Sequence, residues 1–324
     1  MIKRIPLKVY NSLSEIDKFS NRILTVGTFD GVHIGHKEIF KTLLDDASAS
    51  NSEHLVVTFD PHPRLVLGKH DKPKLSLLTS TEERLLLFER NNIEHVFVIK
   101  FDYDFSQLSG REFIIDYLYE KIGFNKILIG YDHTFGKNRS GNIDLLRALA
   151  LEFGFEVEKI EPFKDGEIII SSTKVRTALQ ANEIELANEL LGYTFFVSGH
   201  VIRGARRGST IGFPTANIMV PYEFKIMPAI GVYLVSSVID GIHYWGMANI
   251  GYRPTVSDDK QVSLEVHFFD FDGDIYDKEL RINFHYFLRH EQKFNSLNDL
   301  TNQLVIDKEN SIKILPNHKN DFII

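Results

Sequence analysis

A doubly wound α/β domain followed by an antiparallel β domain is the fold class this sequence predicts, on three observations. Between residue 20 and about residue 190, short runs of Val, Ile, Leu and Phe alternate with helical stretches. After residue 195 the helices give way to strand-like segments joined by Asp-Gly turns. At Gly27-Thr28-Phe29-Asp30-Gly31-Val32-His33-Ile34-Gly35-His36 an apolar strand runs through a glycine-bearing loop into a helix. Ligands of open α/β sheets lie beyond the carboxyl ends of the strands, where this loop falls.

Each element has its own signal. Strands are predicted at 23–29, 54–59, 95–101 and 126–130, with helices at 36–50, 80–91, 109–122 and 142–153 between them. The strands are nearly continuous in apolar residues, the pattern of a sheet covered on both faces. Their alternation with helices argues parallel pairing. A strand at 167–170 and a short helix come next, and a helical stretch at 183–191 ends beside Gly192. The chain is therefore divided into domains 1–190 and 191–324. In the second, strands are predicted at 195–201, 231–239, 243–249, 262–271 and 279–288, with Asp240-Gly241 and Asp272-Gly273 as hairpin turns. They describe an antiparallel barrel or sandwich, closed by a helix at about 296–307.

Composition narrows the function classes. At 324 residues the chain has room for two domains that each bury a core. A net charge of −7 lends no support to nucleic-acid or membrane-surface binding, which favour basic clusters. With no cysteine, disulfides and thiolate metal sites are excluded. The first residues lack an apolar signal core and no apolar run approaches 18 residues, so a soluble cytoplasmic protein is expected.

The loop from Gly27 to His36 suits an anion, because backbone N–H groups and the dipole of the following helix point at one spot. His33 and His36, three residues apart, share a face of the first helical turn. A metal on this pair would lack a third ligand at short spacing. After the fourth strand, the loop from Gly130 to Gly141 brings Asp132, cations and glycines to another strand end; a plain surface loop is the alternative. Ser171-Ser172-Thr173-Lys174-Val175-Arg176 sets hydroxyls and two cations at a helix start, which suits a triphosphate and is compatible with simple N-capping. Asp60-Pro61-His62-Pro63-Arg64 either closes over the same cleft or is only a rigid loop.

In the second domain, the stretch from Arg203 to Asn217 places three arginines among glycines, Gly208 and Gly212 included, and ends on Thr215 and Asn217, whose oxygens suit Mg²⁺. In Ser263-Leu264-Glu265-Val266-His267-Phe268, alternation turns Glu265 away from Leu264 and Val266, toward either solvent or a cavity. Trp245 reads as core.

Together these motifs resemble the bacterial bifunctional riboflavin kinase/FAD synthetases. GTFDGVHIGH, GYDHTFGKNRSGN and ISSTKVR are similar to that family's nucleotidyltransferase module. GSTIGFPTANI, NIGYRPT (Asn249 to Thr255), LEVHFFDFDGDIY and FLRHEQKF are similar to its riboflavin kinase module, in the same order along the chain. A HIGH motif also occurs in class I aminoacyl-tRNA synthetases, but those pair it with a KMSKS loop that is absent here.

The resemblance implies a Rossmann-like, HIGH-type nucleotidyltransferase domain over 1–190, where FMN attacks the α-phosphorus of ATP to give FAD and pyrophosphate. It implies an antiparallel β-barrel with a C-terminal helix over 191–324, where riboflavin takes the γ-phosphoryl group of ATP to give FMN and ADP. Carried over residue by residue, His33 and His36 stabilise charge on the reacting phosphates, and Gly27, Thr28, Phe29 and Gly35 shape the approach of the nucleotide. Asp132, Ser172, Thr173 and Arg176 bind ATP in that domain. Glu265 is the base of the kinase, Gly208 and Gly212 flank its ATP, Thr215 and Asn217 bind Mg²⁺, and Arg289 lines the flavin side. Two positions depart from the family's pattern: His133 stands where phenylalanine is usual, and Asp277 where glycine is common. Two rivals stay open: a chain with one live activity whose other domain only binds or regulates, and a nucleotide-binding regulator or RNA-binding protein that uses the β domain as a platform. The sequence carries no signal for the oligomeric state.

Overall fold

The computed structural model describes residues 6–68, 75–131, 133–165, 168–204, 208–252 and 262–315. The chain divides into two compact units, Met1–Ser172 and Thr173–Ile324.

The first unit runs β1 (Lys8–Tyr10), β2 (Arg22–Val26), α1 (Ile34–Ser50), β3 (Glu53–Asp60), α2 (Pro63–Val66), α3 (Thr81–Arg90), β4 (His95–Lys100), α4 (Tyr103–Ser106), a π-helical segment Glu112–Tyr119, β5 (Lys126–Gly130), α5 (Ile143–Phe153), β6 (Glu156–Ile160) and a small hairpin, β7 (Lys164–Asp165) with β8 (Ile168–Ile169). Six strands form one parallel sheet in the order β1-β4-β3-β2-β5-β6. All five residues of β2 are buried, as a central strand covered on both faces must be. The order places the carboxyl end of β2 between those of β3 and β5, which seats the Gly27 to His36 loop at the middle of one sheet edge.

Two elements of this unit differ from the sequence reading. β2 stops at Val26, because beyond Gly27 the chain leaves the ladder and Phe29 takes a left-handed φ of 48°. The helix expected at 109–122 is π-wound through its middle, over Glu112–Tyr119.

The second unit takes in α6 (Ser172–Gln180), whose first residue closes the first unit, and then α7 (Ile184–Leu191). Strands β9 (Phe196–Ile202), β10 (Ala216–Met219), β11 (Gly231–Ile239), β12 (Ile242–Tyr252), β13 (Val262–Phe268) and β14 (Glu279–Arg289) follow, and α8 (Leu297–Ile314) ends the described chain. The strands close into an antiparallel barrel, β10-β13-β12-β11-β14-β9, which decides between barrel and sandwich. Alternate residues such as Val235, Ile250, Leu264, Val266 and Ile282 are almost fully buried and fill one face. The other face carries Asn217, Asn249 and Glu265 at neighbouring register positions.

α6 and α7 go with the barrel because their polar groups bond to it. Leu179 O accepts from Ala229 N at 3.0 Å, and the Gln180 amide donates to Met227 O at 3.0 Å. Asn188 bridges Phe195 N at 2.7 Å and Phe284 O at 2.9 Å. Asp277 adopts φ +63°, a conformation that glycine holds without cost and aspartate tolerates.

Candidate active sites

The loop after β2 is built on backbone. Gly27 N–H keeps a last ladder bond to Val57 O at 3.0 Å, and the chain then passes through left-handed residues at Phe29 (φ +48°), Gly31 (+82°) and Val32 (+39°). For a β-branched valine this conformation is an outlier, of the kind that concentrates at functional sites. The buried carboxylate of Asp30 holds it, accepting from Leu78 N at 2.9 Å, Thr79 N at 3.1 Å and Thr79 Oγ1 at 3.3 Å. Gly31 N donates to Thr79 Oγ1 at 3.2 Å, and a Cβ at Gly31 would lie 2.5 Å from Leu78 Cδ1.

His33 is the N-cap of α1, and its side chain makes no cap hydrogen bond. Its ring stacks on that of His36, centroids 3.7 Å apart and planes 18° from parallel, while Phe29 meets His36 edge-on at 5.3 Å. A Cβ on Gly35 would stand 3.2 Å from the His33 ring, so the glycine leaves that ring its place against the helix. Burial, with His33 as a second cause, holds the His36 pKa well below the usual histidine value. His36 is therefore neutral at pH 7, one ring nitrogen donating and the other accepting. Its Nδ1 is shielded from solvent and has no partner among the described residues.

Ser172 ties the later motif to this loop: its hydroxyl donates to Asp30 O at 2.8 Å. Thr173 and Arg176 follow it in α6, Thr173 exposed and Arg176 half-buried. Asp132 lies outside the described residues. The segment after it is clasped through glycines: a Cβ on Gly136 would fall 2.4 Å from Gly110 N, and Gly110 N donates to Ser140 Oγ at 3.0 Å. His133 lies 5.8 Å from the Phe135 ring. In the Asp60 to Arg64 segment, His62 caps α2 by accepting from Arg64 N at 3.1 Å.

Sequence reasoning missed Arg84. It follows the capping box of α3, in which Ser80 and Glu83 bond reciprocally, and at 2% exposure its side chain is fully inside. Its guanidinium donates to Thr28 O at 3.1 Å, Phe59 O at 2.8 Å and Thr81 Oγ1 at 3.4 Å. The capping box was a readable signal for the helix start; nothing in the spacing marks the arginine behind it.

The second site stands on the barrel. Glu265 of β13 pairs with Asn217 of β10 on one side and Asn249 of β12 on the other, so three polar side chains share one face. Thr215 Oγ1 lies 3.4 Å from Glu265 Oε2, and Asn217 is 8% exposed. A Cβ on Gly204 would fall 2.2 Å from Asn217 Nδ2, so the loop passes over this face only as glycine. Gly208 O accepts from Phe213 N at 2.9 Å, and Gly212 turns the chain at φ +83°. His267 Nδ1 donates to Pro214 O at 2.8 Å and its ring meets Phe213 at 5.0 Å, which fixes the residues just before Thr215. Arg206 and Arg207 lie outside the described residues.

Arg289 of β14 grips Asp307 of α8, Nε to Oδ1 at 3.0 Å and Nη2 to Oδ2 at 2.8 Å, and Asp307 is 3% exposed. This fork bonds α8 to the barrel. Trp245 is half-buried against the core that includes Val232 and Met247, its ring 4.6 Å from that of His285.

A HIGH loop at the carboxyl edge of a parallel sheet, joined to a closed barrel with a glutamate on its polar face, defines a two-unit nucleotide-dependent transferase. Known proteins divide the same way. The FAD synthetase family model matches residues 15–174 and the riboflavin kinase model residues 191–315. The chain is 38% identical over 299 residues to the bifunctional riboflavin kinase/FMN adenylyltransferase of Bacillus subtilis, covering 91% of this chain and 93% of that one. With the Escherichia coli protein of the same name it shares 36% over 287 residues, 88% and 90% of the two chains. A crystal structure described as a macrolide-efflux protein from Streptococcus pneumoniae matches with a TM-score of 0.85 at 30% identity, over 95% of this chain and 99% of that one. The chain belongs to the bifunctional riboflavin kinase/FMN adenylyltransferase family. No helix among the described residues is long and apolar enough to cross a membrane.

Proposed function

We propose that the second unit phosphorylates riboflavin to FMN with ATP, and that the first adenylylates FMN to FAD with release of pyrophosphate. One observation carries the reading: the two family matches, 15–174 and 191–315, fall almost wholly on different compact units, each of which holds a polar site of its own.

In the second unit Glu265 accepts the proton of the ribityl 5′-hydroxyl. That oxygen attacks the γ-phosphorus, the bond to the β–γ bridging oxygen breaks, and ADP leaves. Thr215 and Asn217 offer hard oxygen donors and fit Mg²⁺, which when bound neutralises charge on the phosphates. Gly208 and Gly212 shape the loop over the nucleotide, and Arg289, its guanidinium held by Asp307, is assigned to the wall on the flavin side. In the first unit an FMN phosphate oxygen attacks the α-phosphorus of ATP and pyrophosphate departs. His33 and His36 donate to the phosphate oxygens as charge builds, and Gly27, Thr28, Phe29 and Gly35 let the backbone come close. Ser172, whose hydroxyl is tied to Asp30 O, meets the leaving phosphates. Asp132 belongs to the same cleft in this reading, and the reactions are placed in the cytoplasm.

The test is incubation of the purified chain with riboflavin, Mg²⁺ and ATP, followed by chromatography of the flavins. Riboflavin should pass into FMN and then FAD. FMN alone would leave a single activity, and no turnover would leave a nucleotide-binding regulator.

A further inference from the structure

We propose that Arg84 is a positioning residue for adenylyl transfer, acting on the bound nucleotide through the Thr28–Phe29 peptide; the inference rests on the reaction proposed for the first unit. One guanidinium reaches three separate segments: the chain just past β2 at Thr28 O, the carboxyl end of β3 at Phe59 O, and the start of α3 at Thr81 Oγ1. Thr81 in turn donates to Asp60 Oδ1 at 2.7 Å, so the tie extends to the residue after Phe59.

A trans peptide is planar, and its C=O and N–H point in opposite directions. With Thr28 O turned to Arg84, the Phe29 N–H is turned away from it. Neither the Thr28 nor the Phe29 amide N–H has a hydrogen-bond partner among the described residues. A guanidinium on the carbonyl also polarises the peptide, which strengthens its N–H as a donor.

The same peptide governs the histidines. Phe29 is held left-handed at φ +48°, a conformation that a bulky residue does not keep unaided. Its ring packs on His36 at 5.3 Å and on Phe40 at 5.1 Å, so a shift of the peptide plane moves the ring against which His36 is set. Arg84 thus orients a backbone donor and, through Phe29, the histidine pair. Lysine cannot replace it fully, because an ammonium lacks the planar fork that serves two carbonyls at fixed angles.

Full-length Arg84→Met and Arg84→Lys test this, with the kcat and KM of FMN adenylylation read beside riboflavin phosphorylation in the same samples. Amide exchange over β2, β3 and α3 reports the folded fraction of the first unit. In Arg84→Met the adenylylation kcat should fall by about 10²-fold, the scale of one lost transition-state donor. Arg84→Lys should recover part of that loss. KM for ATP should move less than about threefold and phosphorylation should hold, since a donor tuned to the transition state acts on kcat. A folded Arg84→Met that keeps its kcat, or losses in both variants that only track the unfolded fraction, would overturn the inference. If Arg84→Met does not fold, Arg84→Lys decides, and an unchanged kcat there defeats it. Absence of adenylylation in the unaltered chain would instead defeat the proposed reaction, and this inference with it.

Discussion

The two units of this protein hold their sites by opposite means. In the first, the polar groups are presented by a loop that leaves the sheet, with Phe29 and Val32 both left-handed and Asp30 buried beneath to hold it. In the second, Glu265 and Asn217 sit opposite each other on hydrogen-bonded strands of a closed barrel, where register alone sets their spacing. The first site therefore depends on backbone held away from its preferred geometry. The second depends on the chemistry of individual side chains on a rigid surface. Substitutions should separate them cleanly.

The largest effect is expected at Glu265. Removing a general base costs typically about 10²- to 10⁴-fold, so Glu265→Ala should reduce riboflavin phosphorylation by that range. FMN supplied directly should still be converted to FAD. Retention of full FMN formation by the variant would remove Glu265 from the mechanism. Next comes His36, which gives up one donor to a developing charge; loss of such a donor costs about 10²- to 10³-fold. His36→Ala should lower FMN-to-FAD conversion by that amount while riboflavin phosphorylation survives. A joint loss of both activities would instead point to a folding defect, and would blur the separation of the two sites.

How far the sequence was readable follows the same contrast. β3, β4 and β5 were legible because central parallel strands are continuous in apolar residues. β1 has three residues, too few for a pattern, and β6 reads Glu-Val-Glu-Lys-Ile, its charges masking a sheet edge. β10 escaped because Ala216–Met219 begins inside the Arg203 to Asn217 stretch, which was read for its chemistry. α8 runs to Ile314, beyond the expected end at about 307, because Asp307 and Ser311 are polar yet buried. Asp307 takes the Arg289 fork, and Ser311 Oγ donates to Asp307 O at 2.8 Å, so side-chain bonding hides the periodicity. Alternation put Glu265 on the face away from Leu264 and Val266 but left open whether that face met solvent or a cavity. Arg84 was not legible at all, because its partners are backbone oxygens at Thr28 and Phe59, which no residue pattern advertises.

The smallest effect sharpens the comparison through acid stability. Three histidines of the first unit have lowered pKa values: His36; His54, pushed to about 4; and His95, each by burial first. In the second unit His243 and His267 are lowered, again by burial. A histidine held neutral in the fold but protonated when unfolded binds more protons in the unfolded state. Its contribution to stability is complete above the unfolded pKa near 6.5 and is lost as pH falls toward the folded value. For His54, 8% exposed and accepting from Glu94 N at 2.9 Å, the loss amounts to about 2 kcal/mol by pH 5. Between pH 7 and pH 5 the first unit should therefore lose more stability than the barrel, measured as amide-exchange protection unit by unit. His54→Gln, which can still accept from Glu94 N, should flatten the pH dependence of the first unit by about that amount. An unchanged slope in that variant would show that the acid sensitivity of the first unit lies elsewhere.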